Sequence, residues 1–147
     1  MAYSGKFRPT NIAKYAGDHT AIKYRSLWER QAMAWLDKNP DVISWNSEEV
    51  VIPYRCATDN RMHRYFMDLK VTLKNGKTYL IEIKPKHETI EPKIKTKKTK
   101  AYLNEVMKYM KNTSKWNTAS EYAKDRGWEF QIWTQDTLKA LGIKILK

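Results

Sequence analysis

Residues 64–86 read RYFMDLKVTLKNGKTYLIEIKPK. Two strand-like runs flank the turn Lys74-Asn75-Gly76-Lys77. In the first run Tyr65, Met67, Leu69, Val71 and Leu73 fall on one side, and Phe66, Asp68, Lys70 and Thr72 on the other. The second run, residues 79–84, puts Glu82 and Lys84 on one face, two residues apart. Loop length decides where the acids meet. A two-residue Asn-Gly loop, which that dipeptide alone favours, pairs Asp68 with Ile83 and sends the acids to opposite faces. A three-residue loop, 74–76, with Gly76 left-handed, sets Asp68 across from Glu82. Burying two acids and a lysine in a small sheet is costly unless something such as a metal ion pairs with them. The three-residue loop is therefore expected.

Working outward, the 147 residues suit one domain, and 41% apolar content with six Trp and nine Tyr suffices for a core. No apolar run approaches membrane-span length, and residues 1–6 lack a signal-peptide stretch. Cys56 is alone, so neither a disulfide nor a cysteine-rich zinc site is available. A cytoplasmic protein is expected. The 28 Lys and Arg against 16 acids give +12, which favours a polyanion over an acidic metabolite as partner. A ribosome-like basic protein or a solubility device fits that charge equally well.

Residues 1–25, basic and Tyr-rich with breaks at Gly5, Pro9 and Gly17, read as an extended arm with one short turn. Lys6, Arg8, Lys14, Lys23 and Arg25 are its phosphate candidates, and a loose surface segment is an even alternative. Ser26 and Glu29 form a capping box for a helix whose apolar stripe is Trp28, Ala32, Trp35 and Leu36, and which ends at Asn39-Pro40. The cap alone accounts for Glu29. Residues 42–45 and 50–54 read as strands, with Pro53 at an edge. A polar loop over 56–62 precedes His63 and Arg64, and a lone His is more often structural than a ligand. Lys84, Lys86, Lys93, Lys95, Lys97, Lys98 and Lys100 leave the end of the acid-bearing strand, so phosphate tracking competes with a merely solvated run. Glu91-Pro92-Lys93 repeats the Glu-x-Lys spelling by chance. Residues 99–111 are expected to be helical, with Ala101, Val106 and Tyr109 inward. Ser114 is expected to cap a second helix to Arg126, with Trp116, Ala119 and Ala123 on one face and Gly127 stopping it. Residues 128–133 alternate as a strand. Thr134 caps a short helix over 135–141, and 143–146 form a last strand or pack irregularly. The order predicts an α/β fold with a mixed sheet of four to five strands flanked by helices.

Phosphodiester hydrolysis needs activated water and relief of charge, which Mg²⁺ supplies from a site of few carboxylates. Asp68 and Glu82 meet that need, and Lys84 on the same face can orient or deprotonate water. The set Glu29, Asp68 and Glu82-Ile83-Lys84 resembles the PD-(D/E)XK nuclease superfamily, with Met67 where that family usually has Pro. The chain is more closely similar to TnsA-like endonucleases and, among them, to the head-completion nucleases of T-even-like tailed phages. The stretches that carry this are 11–18, 24–29, 45–49, 52–54, 81–86, Lys115-Trp116 and 127–134. The resemblance implies one restriction-endonuclease-like domain over 1–147. It implies a Mg²⁺-dependent endonuclease, with Mn²⁺ able to substitute, acting on phage DNA ends after packaging. It makes Glu29 a third metal ligand beside Asp68 and Glu82, directly or through water. It makes Lys86 and Lys115 phosphate contacts, and Arg25, Arg64, Lys95, Lys97, Lys98 and Lys100 are the further DNA-contact candidates that the basic sequence itself supplies. The implied setting is the host cytoplasm and the head or neck of the virion, with portal or neck proteins as partners. A non-catalytic, basic head-completion protein that keeps the nuclease fold is the alternative. A restriction or transposition nuclease of the host type is a third, less favoured because no specificity module is evident.

Overall fold

The computed structural model describes residues 3–145. The loop of the central hairpin spans 74–76. The Leu73 N–H donates to the Lys77 carbonyl and the Gly76 N–H to the Leu73 carbonyl, each at 2.9 Å. Gly76 sits at φ +84°, which a residue without Cβ adopts without strain. The three-residue loop is thus formed.

In chain order the elements are β1 (Gly5–Lys6), a 3-10 turn (Ile12–Lys14), β2 (Lys23–Tyr24), α1 (Leu27–Lys38), β3 (Val42–Asn46), β4 (Val51–Arg55), β5 (Met62–Phe66), β6 (Leu69–Leu73), β7 (Thr78–Ile83), a second 3-10 turn (Lys86–Thr89), α2 (Lys100–Asp125), β8 (Glu129–Trp133) and α3 (Gln135–Ala140). The main sheet runs β3-β6-β7-β8, antiparallel except for the parallel β7–β8 pair. The expected mixed sheet is one of four strands, with β1–β2 and β4–β5 as separate ribbons. Pro53 lies in β4, which pairs only with β5, so its missing N–H breaks no second ladder.

Three expectations need correction. First, residues 65–73 are not one strand. The chain leaves β5 after Phe66 and enters β6 at Leu69, and Met67 bonds instead to Val50 and Glu48. Asp68 therefore sits in a bend where the strand changes partners. The expected single inward face does not hold: Tyr65 and Met67 are buried against Leu80 and α2, whereas Leu69 and Val71 are buried against α1, and Leu73 is only half-buried.

Second, the N-terminal segment is not an extended arm. β1 pairs with β2, and Tyr15 and Ile22 are buried. Tyr15 and Phe7 both meet the Trp45 ring edge-on, at 4.8 and 5.7 Å. Lys14 Nζ donates to the carbonyls of Leu36, Asp37 and Asn39 at 2.8–2.9 Å. It closes the C-terminus of α1, as a cation does well there, and is not free for phosphate.

Third, the helices expected over 99–111 and 114–126 are one helix, α2. Thr99 is its N-cap, accepting from the Tyr102 N–H. Ser114 does not cap, because its hydroxyl donates back to the Met110 carbonyl at 2.9 Å. With no Gly or Pro at 112–114, such back-bonding leaves the helix unbroken. Ala101 is exposed, and Tyr102 turns inward in its place. At the C-terminus Ile143 packs without strand structure, and Leu146 lies outside the described residues.

The sheet separates two cores. Leu69, Val71, Ile81 and Ile83 pack with Met33 and Leu36 of α1 and with Trp45 and Trp133. On the other face Leu80 packs with Ile52, Tyr54, Tyr65, Met67 and the α2 residues Trp116, Ala119 and Ala123. Each fully buried Leu or Met contributes about 1.5–3 kcal/mol. The even-numbered side of β7 thus faces α2, and Glu82 lies on that side. Among the described residues no helix is long and apolar enough to cross a membrane.

Candidate active site

The β6–β7 ladder runs Thr72↔Thr78 to Leu69↔Ile81. One step further along that register brings Asp68 beside Glu82. The bend at Asp68 lets its carboxylate accept from the Ile83 N–H at 2.8 Å. Glu82 is only 5% exposed and accepts from the indole N–H of Trp116 at 2.7 Å. Burial pushes the Asp68 carboxyl well above the usual range. The charges of Glu82 and then Glu29 add to this, against weaker pulls from the Ile83 N–H and Lys84.

Glu29 comes from the first turn of α1. Its N–H donates to Ser26 Oγ at 3.2 Å, the expected cap, and its carboxylate meets the same hydroxyl at 3.3 Å. Burial raises its pKa, with Glu48 adding to the rise and Ser26 and Arg25 opposing it. Glu29 thus caps its helix while its charge acts on Asp68. Capping and site roles are compatible at this one residue.

Lys84 follows β7, and its N–H donates to the Trp133 carbonyl. Its charge acts on Asp68 and on Lys115. Lys115 reaches in from α2, with Nζ 5.3 Å from the centre of the Tyr65 ring. Burial lowers its pKa, and Glu82 opposes the shift. Three carboxylates thus share one region with few donors of their own. Hard oxygen ligands and uncompensated negative charge fit a divalent cation.

The other sequence candidates divide. Arg25 pairs with Glu48 at 3.0 Å beside Glu29. Lys86 pairs with Asp136 at 3.2 Å at the exposed surface. Arg64 lies over the Phe66 ring at 5.6 Å. Lys95 and Lys98 approach the Tyr102 ring at 5.8 and 5.0 Å, and Lys97 and Lys100 are exposed. At 1.5 Å per residue, Lys100 stands about 22 Å along α2 from Lys115.

Sequence reasoning missed three participants. The Tyr65 hydroxyl is buried without a hydrogen-bond partner among the described residues. Burial, with the charges of Glu82 and Asp68, pushes its ionisation upward. The sequence marks Trp116 as an inward helix residue and as part of the family resemblance, but gives no sign that its indole N–H donates to Glu82. Glu48, at φ +55°, orients Arg25 and presses on Glu29. Strict alternation puts Tyr65 on the face opposite Asp68 and Glu82, whereas in the structure Tyr65 and Glu82 both lie on the α2 side. The partner swap at Asp68 that aligns them is not a local signal.

Residues 39–135 match the family model described as TnsA-like endonuclease N terminal. The head completion nuclease of Enterobacteria phage T4 is 48% identical over 149 residues, an alignment covering 98% of this chain and 99% of the phage T4 protein.

Proposed function

The chain belongs to the TnsA-like endonuclease family, and we propose that it is a Mg²⁺-dependent DNA endonuclease whose metal ligands are Asp68 and Glu82, with Glu29 completing the set. It processes phage DNA ends during head completion, in the host cytoplasm and at the head or neck, where portal or neck proteins are its partners. One nuclease domain spans the chain. The observation that supports the reading is the approach of half-buried Asp68 to buried Glu82, one step beyond the β6–β7 ladder, with the charges of Glu82, Glu29 and Lys84 all acting on Asp68.

A bound divalent cation supplies charge relief at the phosphoryl group and acidifies water. Asp68, Glu82 and Glu29 offer oxygen donors, which suits Mg²⁺ and tolerates Mn²⁺. Lys84 orients the attacking water and takes up or relays its proton, as a lysine beside a cation can. Water adds to phosphorus, one P–O ester bond breaks, and the leaving oxygen acquires a proton. Lys115 offsets charge on the phosphoryl oxygens from the α2 side. Trp116 keeps Glu82 turned toward the site. Arg25, Arg64, Lys86, Lys95, Lys97, Lys98 and Lys100 hold the DNA backbone. Such contacts carry little sequence information and weaken steeply with salt.

The test compares the wild type with Glu82→Ala and Lys84→Ala on branched and linear DNA, with Mg²⁺ or EDTA. Cleavage by the wild type alone, and only with Mg²⁺, is expected. Equal nicking by all three proteins, or none by any, would move the chain to the non-catalytic, DNA-binding reading.

A further inference from the structure

The turn between β4 and β5 gathers three metal-ligating side chains that the nuclease chemistry leaves unused. Cys56 follows β4 and is 1% exposed. Asp59 stands exposed in the turn, and half-buried His63 is the second residue of β5. A sulfur, a carboxylate oxygen and a ring nitrogen from these residues all lie within 4.8 Å of one another. His63 Nε2 and Asp59 Oδ2 are 2.7 Å apart.

The turn is built to hold them. The Cys56 N–H donates to the Arg61 carbonyl at 2.9 Å, and the Asn60 N–H to the Cys56 carbonyl at 2.8 Å. Asn60 sits at φ +56°, and its carbonyl accepts from the Arg55 guanidinium at 2.8 Å. Asp59 accepts the Arg61 N–H on Oδ1, at 3.0 Å, which leaves Oδ2 for His63. The Tyr54 ring, tilted 31° and 5.7 Å away, limits the orientation of the imidazole.

We propose that Cys56, Asp59 and His63 bind one Zn²⁺-class cation through three protein ligands and an open fourth position. A sulfur, nitrogen and oxygen set suits Zn²⁺ or Co²⁺, whereas Mg²⁺ demands oxygen alone. Tetrahedral bonds of roughly 2.0–2.3 Å put ligand atoms about 3.3–3.8 Å apart. The observed trio reaches that spacing by small rotations, with the His63–Asp59 contact opening and the sulfur closing in. The absence of a second cysteine excludes only a cysteine-rich site, and the fold supplies the missing ligand types.

The consequence reaches α2. The Ala57 N–H, inside the turn, donates to Ser114 Oγ at 3.1 Å. Ser114 immediately precedes Lys115 and Trp116. A cation that closes the turn stiffens this contact and so steadies the helix that holds Glu82. The site itself stands whether or not the nuclease reading does.

The test uses the full chain carrying Asp68→Asn and Glu82→Gln, so that the acid pair does not compete for metal. The metal-stripped protein is titrated with Co²⁺ in excess Mg²⁺. The readouts are the thiolate-to-cobalt charge-transfer band and the stoichiometry. One Co²⁺ per chain with that band is expected, as is a higher melting temperature with Zn²⁺. Cys56→Ser should abolish the band. His63→Ala should weaken binding by at least the roughly 10- to 100-fold that loss of an outer partner costs. No band in the parent, or unchanged affinity in His63→Ala, overturns the proposal. Should Cys56→Ser fail to fold, His63→Ala at its half-buried position decides alone.

Discussion

Asp37 is a buried acid and Asp68 a half-buried one, and the chain treats them in opposite ways. Asp37, 2% exposed at the end of α1, accepts the N–H of Thr10 at 2.8 Å and of Asn11 at 3.2 Å. Lys14 lies against the same helix end, where its charge meets that of Asp37. Asp68 has one backbone donor and two acids for neighbours. The first arrangement is satisfied and ties the N-terminal segment to the body. The second is frustrated without a cation. A buried charge whose partners are complete is explained by folding, and one whose partners repel it points to function.

The largest effect should separate the two acids by activity. Asp68→Asn or Glu82→Gln is expected to lower cleavage by about 10²–10⁴-fold, in line with removing a group that acts on the reacting atoms. Gel-shift binding of DNA should persist, because most of the proposed backbone contacts lie elsewhere. The metal-free variants should melt no lower than the wild type, since a repulsion has been relieved. A large loss of stability in Asp68→Asn would make it a second Asp37 and erase the contrast.

Asp37→Ala should do the reverse. It leaves the N–H groups of Thr10 and Asn11 without their acceptor, and an unsatisfied buried donor costs about 1–3 kcal/mol. Urea denaturation measures that loss. Cleavage per folded molecule should be unchanged, and a selective drop in turnover would show that the two acids are coupled.

A pH series sharpens the contrast further. An acid with a raised folded pKa keeps its proton in the native chain after the unfolded chain has lost it. The native state then binds more protons, so stability falls as pH rises from the ordinary carboxylate range through the raised value. In EDTA the wild type should therefore gain stability relative to Asp68→Asn as the pH falls from above the raised value toward the ordinary carboxylate range. Comparing the two proteins cancels the groups they share. A divalent cation should shrink or reverse the trend, because it favours the ionised acid. Identical slopes for both proteins in EDTA would mean that Asp68 does not carry the raised value.

This asymmetry also explains what the sequence could disclose. The alternation over 65–73 and the conflict between Asn75-Gly76 and a shared acid face were enough to predict the three-residue loop and the facing of Asp68 and Glu82. Ser26 and Glu29 announced the helix start through local spacing. Asp37 gave no signal, since its donors come from residues 26 and 27 positions earlier in the chain. The unbroken α2 was missed because a serine hydroxyl can cap a helix or bond back within one, and only packing decides. The break at Asp68 was invisible for a similar reason. A strand that swaps partners keeps its two-residue period, so Tyr65 and Leu69 look continuous although they belong to different sheets.

The smallest effect should come from the residue that joins the site to its supporting helix. Trp116→Phe keeps most of the apolar volume among Leu80, Tyr65 and Ala119 but deletes the 2.7 Å indole bond to Glu82. The carboxylate then loses its only side-chain donor that meets hydrogen-bond geometry among the described residues. Loss of such an outer contact to a ligand typically costs 10–100-fold in metal affinity or activity. The lower end is expected here, because β7 still fixes the Glu82 backbone. The apparent Mg²⁺ requirement should rise by about tenfold, and saturating Mg²⁺ should restore most of the rate. If saturating Mg²⁺ restores nothing, Trp116 acts on the chemical step and not merely on the orientation of Glu82. If the requirement does not move, the indole only fills space, and Glu82 is held by its strand alone, as the backbone of Asp37 is held by its helix.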